Sequence, residues 1–267
     1  MQITELERPI SDVVPHIFKR PVLHVSPSDS LLQAGTFLAI GPQIYVDGLV
    51  VLDGQKPVGR LGGQHIIQHI LQHQDGWFQS TASQIMSHAT SVVDATDLLN
   101  VALDIFDKTR FAFVPITING RVVTSLSMRD VLRLVAGRLN TQVGELSSRL
   151  ISVKGNISIK KALELMLERS IRNLAVRNES GTIRIVNDRK ILEFLLSYEG
   201  RRLVSGPMGL DAVGIDLLDL LTPKHVKQNM PAGIAAEFLS DVNTPCLICE
   251  DSIITPWDIV MKGLFKA

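Results

Sequence analysis

The sequence of 267 residues lacks the features that mark several large classes of protein. Only two cysteines are present, which excludes a disulfide framework. Aromatic residues make up 5% of the chain, too few for the stacking platforms that bind single-stranded nucleic acid. Lysine plus arginine and aspartate plus glutamate both number 27, so we expect no broad positive surface for nucleic acid.

Segments that direct a chain to a membrane are also missing. Met1 to Arg8 is polar and acidic, unlike the basic and then apolar start of a signal peptide. No stretch approaches the ~20 apolar residues that span a bilayer. We therefore expect a soluble, cytoplasmic protein, in which 45% hydrophobic residues suffice for a full core.

Sequence motifs of common catalytic sites are not found either. There is no Gly-x-Ser-x-Gly elbow, no Walker loop and no dinucleotide-binding fingerprint. The serine and histidine residues are scattered, without a nucleophile and base in a recognisable arrangement. We therefore expect that the protein is not an enzyme and uses no catalytic cofactor.

What the chain does contain is a polar four-residue step that recurs four times, each time between an apolar strand and an apolar helix. The steps lie about 60 to 70 positions apart and together account for nearly the whole chain. Only the second and fourth steps begin with a hydroxyl residue and end with aspartate. The four steps are Gly62 to His65, Ser127 to Asp130, Asn187 to Lys190 and Thr255 to Asp258.

Each repeat predicts a β-α-β-β-α unit of about 60 residues. Ser30 and Gln33 form a capping-box pattern before a helix over 31–40, and Asn119-Gly120 is typical of a β-hairpin turn. Residues 198–216 predict an irregular connection. One unit is small for a core of its own, so we expect the units to pair.

These repeats resemble cystathionine β-synthase (CBS) domains, whose usual ending is a strand, then Ser or Thr, two variable residues, Asp and an apolar helix. Ser127-Met128-Arg129-Asp130 and Thr255-Pro256-Trp257-Asp258 carry the resemblance. It implies four CBS repeats, paired into two Bateman modules in a disc similar in layout to the gamma subunit of AMP-activated kinase. The repeats are placed at 10–75, 80–139, 145–200 and 217–265, and the modules at 1–139 and 145–267.

The resemblance also implies two adenosine sites. In the family, the Asp accepts hydrogen bonds from both ribose hydroxyls, the Ser or Thr contacts phosphate, and apolar residues of the paired repeat surround the base. One site uses Ser127 and Asp130, with the base near Val22, Leu23 and Val46. The other uses Thr255 and Asp258, with the base near Leu150, Ile151 and Ile171, and with Arg172 in reach of a phosphate.

The two sites are expected to be unequal. Arg172 lines one site, whereas Asp47 stands at the equivalent position of the other and would repel phosphate. His65 and Lys190 replace the aspartate in the remaining steps, so we expect no usual ribose site there. Lys190 is instead expected to project toward the disc centre and neutralise phosphates.

Three further patterns leave alternatives open. Cys246 and Cys249 form a lone C-x-x-C, for which buried core cysteines are favoured over a metal site. A stripe of histidines on one helical face favours a polar surface over metal ligation, and a small basic cluster favours solvated side chains over nucleic-acid contacts. The stripe is His65, His69 and His73, and the cluster is Arg201, Arg202, Lys224, His225 and Lys227.

The resemblance implies a stand-alone regulatory protein that binds AMP, ADP or ATP and signals to a protein partner. S-adenosylmethionine and diadenosine polyphosphates remain as other adenosine ligands. Whether one chain or a homodimer closes the disc is left open. The alternative function is a scaffold or nucleic-acid-binding adaptor whose nucleotide sites are vestigial.

Overall fold

The computed structural model describes residues 4–40, 47–88, 91–206 and 209–265. It contains four small mixed sheets with helices packed against them, which confirms the predicted α/β class. In each sheet the first strand of a repeat pairs parallel with the second, which continues through a hairpin into an antiparallel third. The strands are β1 His24–Val25, β2 Leu49–Asp53, β3 Lys56–Leu61, β4 Val93–Asp94, β5 Phe113–Ile118, β6 Arg121–Ser127, β7 Ser148–Arg149, β8 Ser152–Lys154, β9 Asn173–Arg177, β10 Ile183–Asn187, β11 Lys224–His225, β12 Leu247–Cys249 and β13 Ser252–Ile254.

The hairpins follow the turn residues. Asn119 and Gly120 both have positive φ, 52° and 74°, the conformation that an Asn-Gly turn adopts at little cost. Gly54 likewise has φ of 60° between β2 and β3. In the fourth repeat the non-glycine Glu250 adopts φ of 54° at the same place.

The helices lie between the parallel strands and after each hairpin. Their apolar residues recur every three to four positions, so each buries one face against the core. The helices are α1 Ile10–Val13, α2 Leu31–Ile40, α3 Gly63–His73, α4 Ala82–Ile85, α5 Leu99–Thr109, α6 Met128–Val135, α7 Val143–Leu146, α8 Ile159–Glu168, α9 Asp188–Leu196, α10 Tyr198–Val204, α11 Ala232–Leu239 and a π-helix over Asp258–Phe265; 3-10 turns cover Thr4–Glu7, Pro15–Lys19, Gln74–Gln79, Gly209–Asp211 and Ile215–Leu217.

Two large apolar cores join the repeats through their helices. One core contains α5 and α6 of the second repeat with α11 and the π-helix of the fourth, and the N-terminal segment adds Ile10, Val14 and Ile17 to it. The other contains α2 and α3 of the first repeat with α8 and α9 of the third. Helices therefore connect the first half of the chain to the second.

Sheets meet within each half of the chain. Val50 and Leu52 of β2 pack on Phe113 of β5. In the second half, Ala175 and Ile185 of the third sheet pack with Ile248 and neighbouring residues of the fourth. The four repeats thus close around a common centre within one chain.

One connection differs from its prediction. Residues 198–204 form the helix α10 rather than irregular chain, because Ser197 caps it by accepting the backbone N–H of Gly200 at 3.0 Å. Beyond that helix the connection consists of short 3-10 turns. Across the described ranges, none of the helices combines the length and the apolar character that spanning a bilayer requires.

Candidate functional site

A cavity of about 750 Å³ lies where the four repeats meet. The first residues of four helices line it: Gly62 to His65 at α3, Met128 and Arg129 at α6, Asn187 to Arg189 at α9, and Thr255 to Asp258 at the π-helix. Helix N-termini carry free N–H groups and a partial positive charge, which favour an anion. The polar steps of the sequence thus converge on one space.

The charged side chains around this cavity are mainly cations. Five arginines line it against three aspartates. This excess of positive charge favours an anionic ligand in the cavity. The arginines are Arg110, Arg129, Arg149, Arg172 and Arg189, and the aspartates are Asp47, Asp188 and Asp258.

Arg172 and Asp188 form a pair in the cavity wall. Arg172 Nε donates to Asp188 Oδ2 at 2.8 Å, and Nη2 donates to Oδ1 at 3.4 Å. The charge of Asp188 raises the pKa of Arg172, and Asp47 adds to this effect. Asp188 also lies against the start of α3, where a Cβ at Gly63 would collide with its Oδ2, so a larger residue there would displace the Asp188 carboxylate.

Arg189 is a half-buried cation of this wall and lies near Arg172. Burial and the neighbouring charge of Arg172 lower its pKa. Its Nε is buried and has no hydrogen-bond partner within the described part of the chain. A buried N–H without a partner favours a ligand oxygen at this place.

In the fourth step, Asp258 lines the cavity, and its carboxylate oxygens contact four donor groups. Oδ2 accepts the backbone N–H of Thr255 at 3.0 Å and the Thr255 hydroxyl at 2.7 Å. Oδ1 accepts the Ser148 hydroxyl at 2.8 Å and pairs with Lys262 Nζ at 2.7 Å. Lys262 is 42% exposed, and its Nζ also donates to the Ser148 hydroxyl oxygen at 2.8 Å and to the Leu146 carbonyl at 2.9 Å.

The second step holds Asp130 in a closed arrangement. Arg20 grips both carboxylate oxygens, with Nη1 3.0 Å from Oδ1 and Nη2 2.5 Å from Oδ2, and Nη2 also donates to the carbonyl of Ser125. His16 lies 3.2 Å from Oδ1, and both the N–H and the hydroxyl of Ser127 donate to Oδ2 at 2.8 Å. Asp130 is fully buried, and among the described residues that line the cavity neither it nor Ser127 appears.

The electrostatics of Asp130 reflect these donors. Burial opposes ionisation, but the hydrogen bonds from His16 and Arg20 and the charge of Arg20 outweigh it and lower the pKa of the carboxyl. Asp130 is therefore ionised at neutral pH and bound to Arg20 as a buried ion pair.

Comparison with known proteins identifies the CBS domain in part of the chain. Residues 82–137 and 143–197, together less than half of the chain, match the family model of the CBS domain. The chain therefore contains two stretches that match a CBS domain. The first matched stretch contains the step that ends at Asp130, and the second contains Arg172 and Asp188.

Two solved structures share the fold over nearly the whole chain. A protein of Methanocaldococcus jannaschii, described as a candidate archaeal homologue of g-AMPK, is 15% identical over 98% of this chain and 99% of its own, with a TM-score of 0.75. An uncharacterised conserved protein of Pyrococcus horikoshii is 15% identical over 99% of this chain and 100% of its own, with a TM-score of 0.57. A CBS domain protein of Pyrobaculum aerophilum complexed with AMP is 23% identical over 44% of this chain and 88% of its own, with a TM-score of 0.39. No curated protein matches the sequence.

The residues predicted to surround a base are divided among different places. Ile171 lines the central cavity. Val22 packs beside β2 and Phe113, whereas Leu23 and Ile151 pack on the core of the first and third repeats. Leu150 is buried between the third and fourth sheets, and Val46 lies outside the described residues.

Arg172 and Asp47 are the two residues expected to distinguish the two sites. The two residues line the same cavity rather than two separate sites, and Asp47 adds to the field that raises the pKa of Arg172. Lys190 does not reach the centre as predicted. Its Nζ pairs with Glu193 at 2.9 Å and with Asp219 at 3.2 Å.

The histidine stripe is divided between two surroundings. His65 lines the cavity, accepts the N–H of Gly62 at 3.3 Å and stacks on Phe111 with ring centroids 5.2 Å apart. Burial and the charge of Arg60 lower the pKa of His65, which favours the neutral ring. His69 lies 2.7 Å from the Ser80 hydroxyl and stacks on His73.

The structure also locates the two cysteines and the basic cluster. Cys246 and Cys249 are free and buried in β12 or just before it, and burial raises the pKa of Cys246 to about 12. Within the described ranges no cluster of three or more His, Cys, Asp or Glu side chains could hold a metal ion. The residues of the basic cluster are exposed, and they are Arg201, Arg202, Lys224, His225 and Lys227.

Sequence reasoning missed the side chains that fill the second step. Arg20 and His16 precede the first strand and contact a residue more than 100 positions away. Their spacing held a clue, because Arg20 lies 110 positions before Asp130 and Ser148 lies 110 positions before Asp258. Aligning the two halves of the chain on the aspartates would have placed Arg20 opposite Ser148.

Proposed function

We propose that this protein is a regulatory module that binds an adenosine nucleotide such as AMP, ADP or ATP in its central cavity and signals the occupancy to a protein partner. The supporting observation is that Thr255 and Asp258 share one cavity of about 750 Å³ with five arginines. That volume suits a nucleotide, since small-molecule pockets commonly measure about 300 to 1,000 Å³. The proposed occupant combines a diol for the carboxylate with phosphates for the cations.

The ribose is assigned to Asp258. A carboxylate has about four acceptor positions, all filled here by Thr255, Ser148 and Lys262. The two hydroxyls of a ribose therefore replace two donors. Lys262 is partly exposed and Ser148 borders the cavity, so both can move aside at modest cost.

The phosphates are assigned to the arginine side of the cavity. Arg189 offers a buried Nε without a partner, and Arg172 offers a guanidinium that shares its charge with Asp188. Arginine suits this role, because its planar fork can donate two parallel hydrogen bonds to a phosphate. The four helix starts around the cavity favour the same charge.

Signalling follows from where the cavity lies. Its walls come from all four repeats, so a ligand in it contacts surfaces that can move relative to one another. A ligand shifts such an equilibrium by the difference in its affinity for the two states. The partner is proposed to read the resulting surface.

Thermal unfolding with added ligand tests this function. We expect AMP, ADP or ATP to raise the unfolding temperature, adenosine to do so less because it lacks phosphate, and Asp258→Ala to abolish the effect. S-adenosylmethionine and a diadenosine polyphosphate are tested in the same series. Absence of stabilisation by every adenosine compound would contradict the proposal and leave the scaffold alternative.

A further inference from the structure

Residues 20 and 148 occupy equivalent positions in the two halves of the chain. Each lies 110 positions before the aspartate that its side chain contacts. Arg20 donates to both oxygens of Asp130, at 3.0 and 2.5 Å, whereas Ser148 donates one hydrogen bond to Asp258, at 2.8 Å. The same place is therefore filled by a long cation in one half and by a short hydroxyl in the other.

The guanidinium of Arg20 presents the donors that a bound diol would present. Two parallel N–H groups meet the two carboxylate oxygens, as two neighbouring hydroxyls of a ribose would. Arg20 is 14% exposed and its Nη2 also donates to the Ser125 carbonyl, so it fills the space beside the carboxylate. A nucleoside can reach Asp130 only when Arg20 leaves.

Arg20 is also held in place by its own segment. Ile17 is fully buried in the core of the second and fourth repeats, and its carbonyl accepts the Thr124 hydroxyl at 2.8 Å. His16 of the same turn adds a second contact to Asp130. Ser148, by contrast, borders the cavity together with Asp258, and the cation at that carboxylate is Lys262, which is 42% exposed where Arg20 is 14% exposed.

We propose that the residue at this position decides which aspartate accepts a nucleoside, so that Arg20 closes a latent second site at Asp130 and Ser148 leaves the Asp258 site open. This inference rests on the proposed function and names the residue that regulates its two sites. The two halves carry the same Ser/Thr-x-x-Asp step. The residue at position 20 or 148 determines whether the aspartate of that step can bind a nucleoside.

Exchanging the two residues tests the inference. AMP is titrated calorimetrically into the wild type, Arg20→Ser, Ser148→Arg and the double variant Arg20→Ser/Asp258→Ala. We expect one AMP per wild-type chain, two per Arg20→Ser chain, and at least tenfold weaker binding by Ser148→Arg. The double variant should retain one site, now at Asp130.

Arg8→Ser is the matched control, because Arg8 belongs to the same N-terminal segment as Arg20. The Arg8 side chain is 54% exposed, and among the described residues its ion pair is with Asp12, at 4.0 Å. This variant should bind like the wild type. Circular dichroism verifies that each variant folds. If Arg20→Ser does not fold, Ser148→Arg decides the question alone, because this variant keeps the Arg20–Asp130 pair.

The outcomes separate this inference from the proposed function. One AMP per chain in both the wild type and Arg20→Ser, with unchanged affinity in Ser148→Arg, would overturn the role of position 20 and 148 while keeping the function. Absence of binding in the wild type together with one site in Arg20→Ser would overturn the function assigned to Asp258 and support the latent site.

Discussion

The second and fourth steps of this chain share a motif and a local fold but differ in what holds their aspartates. Asp130 is fully buried under a bidentate arginine. Asp258 is also buried, at 5% exposure, but it lines a large cavity and is held by a serine and a partly exposed lysine. In both, the Ser or Thr hydroxyl and backbone N–H donate to the same carboxylate oxygen.

This difference teaches that the motif alone does not make a site. The hydroxyl and the aspartate cap the start of their helix in either case, which is a structural role that any fold can use. Whether the carboxylate is also available to a ligand depends on a residue 110 positions earlier in the chain.

Removing each aspartate should give the largest contrast. Asp130→Ala leaves Arg20 as a mostly buried charge without its partner, and we expect a loss of about 3 kcal/mol in the free energy of unfolding, at the lower end for broken buried pairs. Asp258→Ala loses a helix cap, but the partly exposed Lys262 keeps its hydrogen bonds to Leu146 and Ser148, so about 1 kcal/mol is expected. Urea unfolding of both variants measures the difference.

Asp130→Asn and Asp258→Asn are the matched controls, since they keep the shape and part of the hydrogen bonding. Equal losses for the two alanine variants would show that the Arg20 pair is no stronger than the Lys262 pair, which would remove the basis of the comparison.

Ligand-dependent stability should distinguish the two steps next. At an AMP concentration about 100 times Kd, the wild type should gain about 2.7 kcal/mol in its free energy of unfolding. Asp258→Ala and Thr255→Ala should lose most of this gain. Ser127→Ala should keep it, because Ser127 does not line the cavity in the described structure. A loss of the gain in Ser127→Ala would place ligand at the second step.

The arginine wall should have a smaller effect that depends on phosphate. Arg172→Ala removes one cation from the cavity and frees Asp188 to repel an anion. We expect AMP binding to weaken about tenfold, which corresponds to about 1.4 kcal/mol, with little change for adenosine. Calorimetry with both ligands checks this, and Arg177→Ala, which contacts Ser152 and Asp251 outside the cavity, is the control.

The smallest expected difference between the two steps is in how their ion pairs affect stability at acid pH. The pKa of Asp130 is below its ordinary value of 3.8, so its ion pair stabilises the fold fully above that pH. The contribution is lost as the pH falls through the lowered pKa of the folded state. Arg20→Ala removes the hydrogen bonds and the charge of Arg20, which lower this pKa together with His16 and Ser127, and should flatten this part of the acid unfolding curve, whereas Lys262→Ala should leave it unchanged.

Measuring the free energy of unfolding from about pH 6 down to about pH 2.5 tests this point. An unchanged acid slope in Arg20→Ala would show that His16 and Ser127 alone hold the Asp130 carboxylate in its charged form.

Much of the fold could be predicted because its signals are local. The helix over 31–40, the Asn119-Gly120 turn and the strand pairs follow from capping residues, positive-φ turn residues and apolar periodicity. The helix α10 was missed, since its cap at Ser197 lies in a stretch rich in Gly and Arg that resembles a loop. The joining of repeats through two helix cores depends on long-range packing that no short pattern encodes.

The site was less predictable for the same reason. Thr255, Asp258, Arg172 and Ile171 were selected from the motif, and the structure brings them to one cavity. The motif could not indicate that Asp47 would lie beside Arg172, or that Arg20 would cover Asp130, because both contacts depend on how separate repeats pack.

Calorimetric titration of the wild-type protein with AMP tests the central claim most directly. The account predicts one AMP per chain, bound at the Asp258 step, and loss of that binding in Asp258→Ala but not in Ser127→Ala. Two equivalent AMP molecules per chain would contradict it, because both steps would then be open despite the Arg20–Asp130 pair.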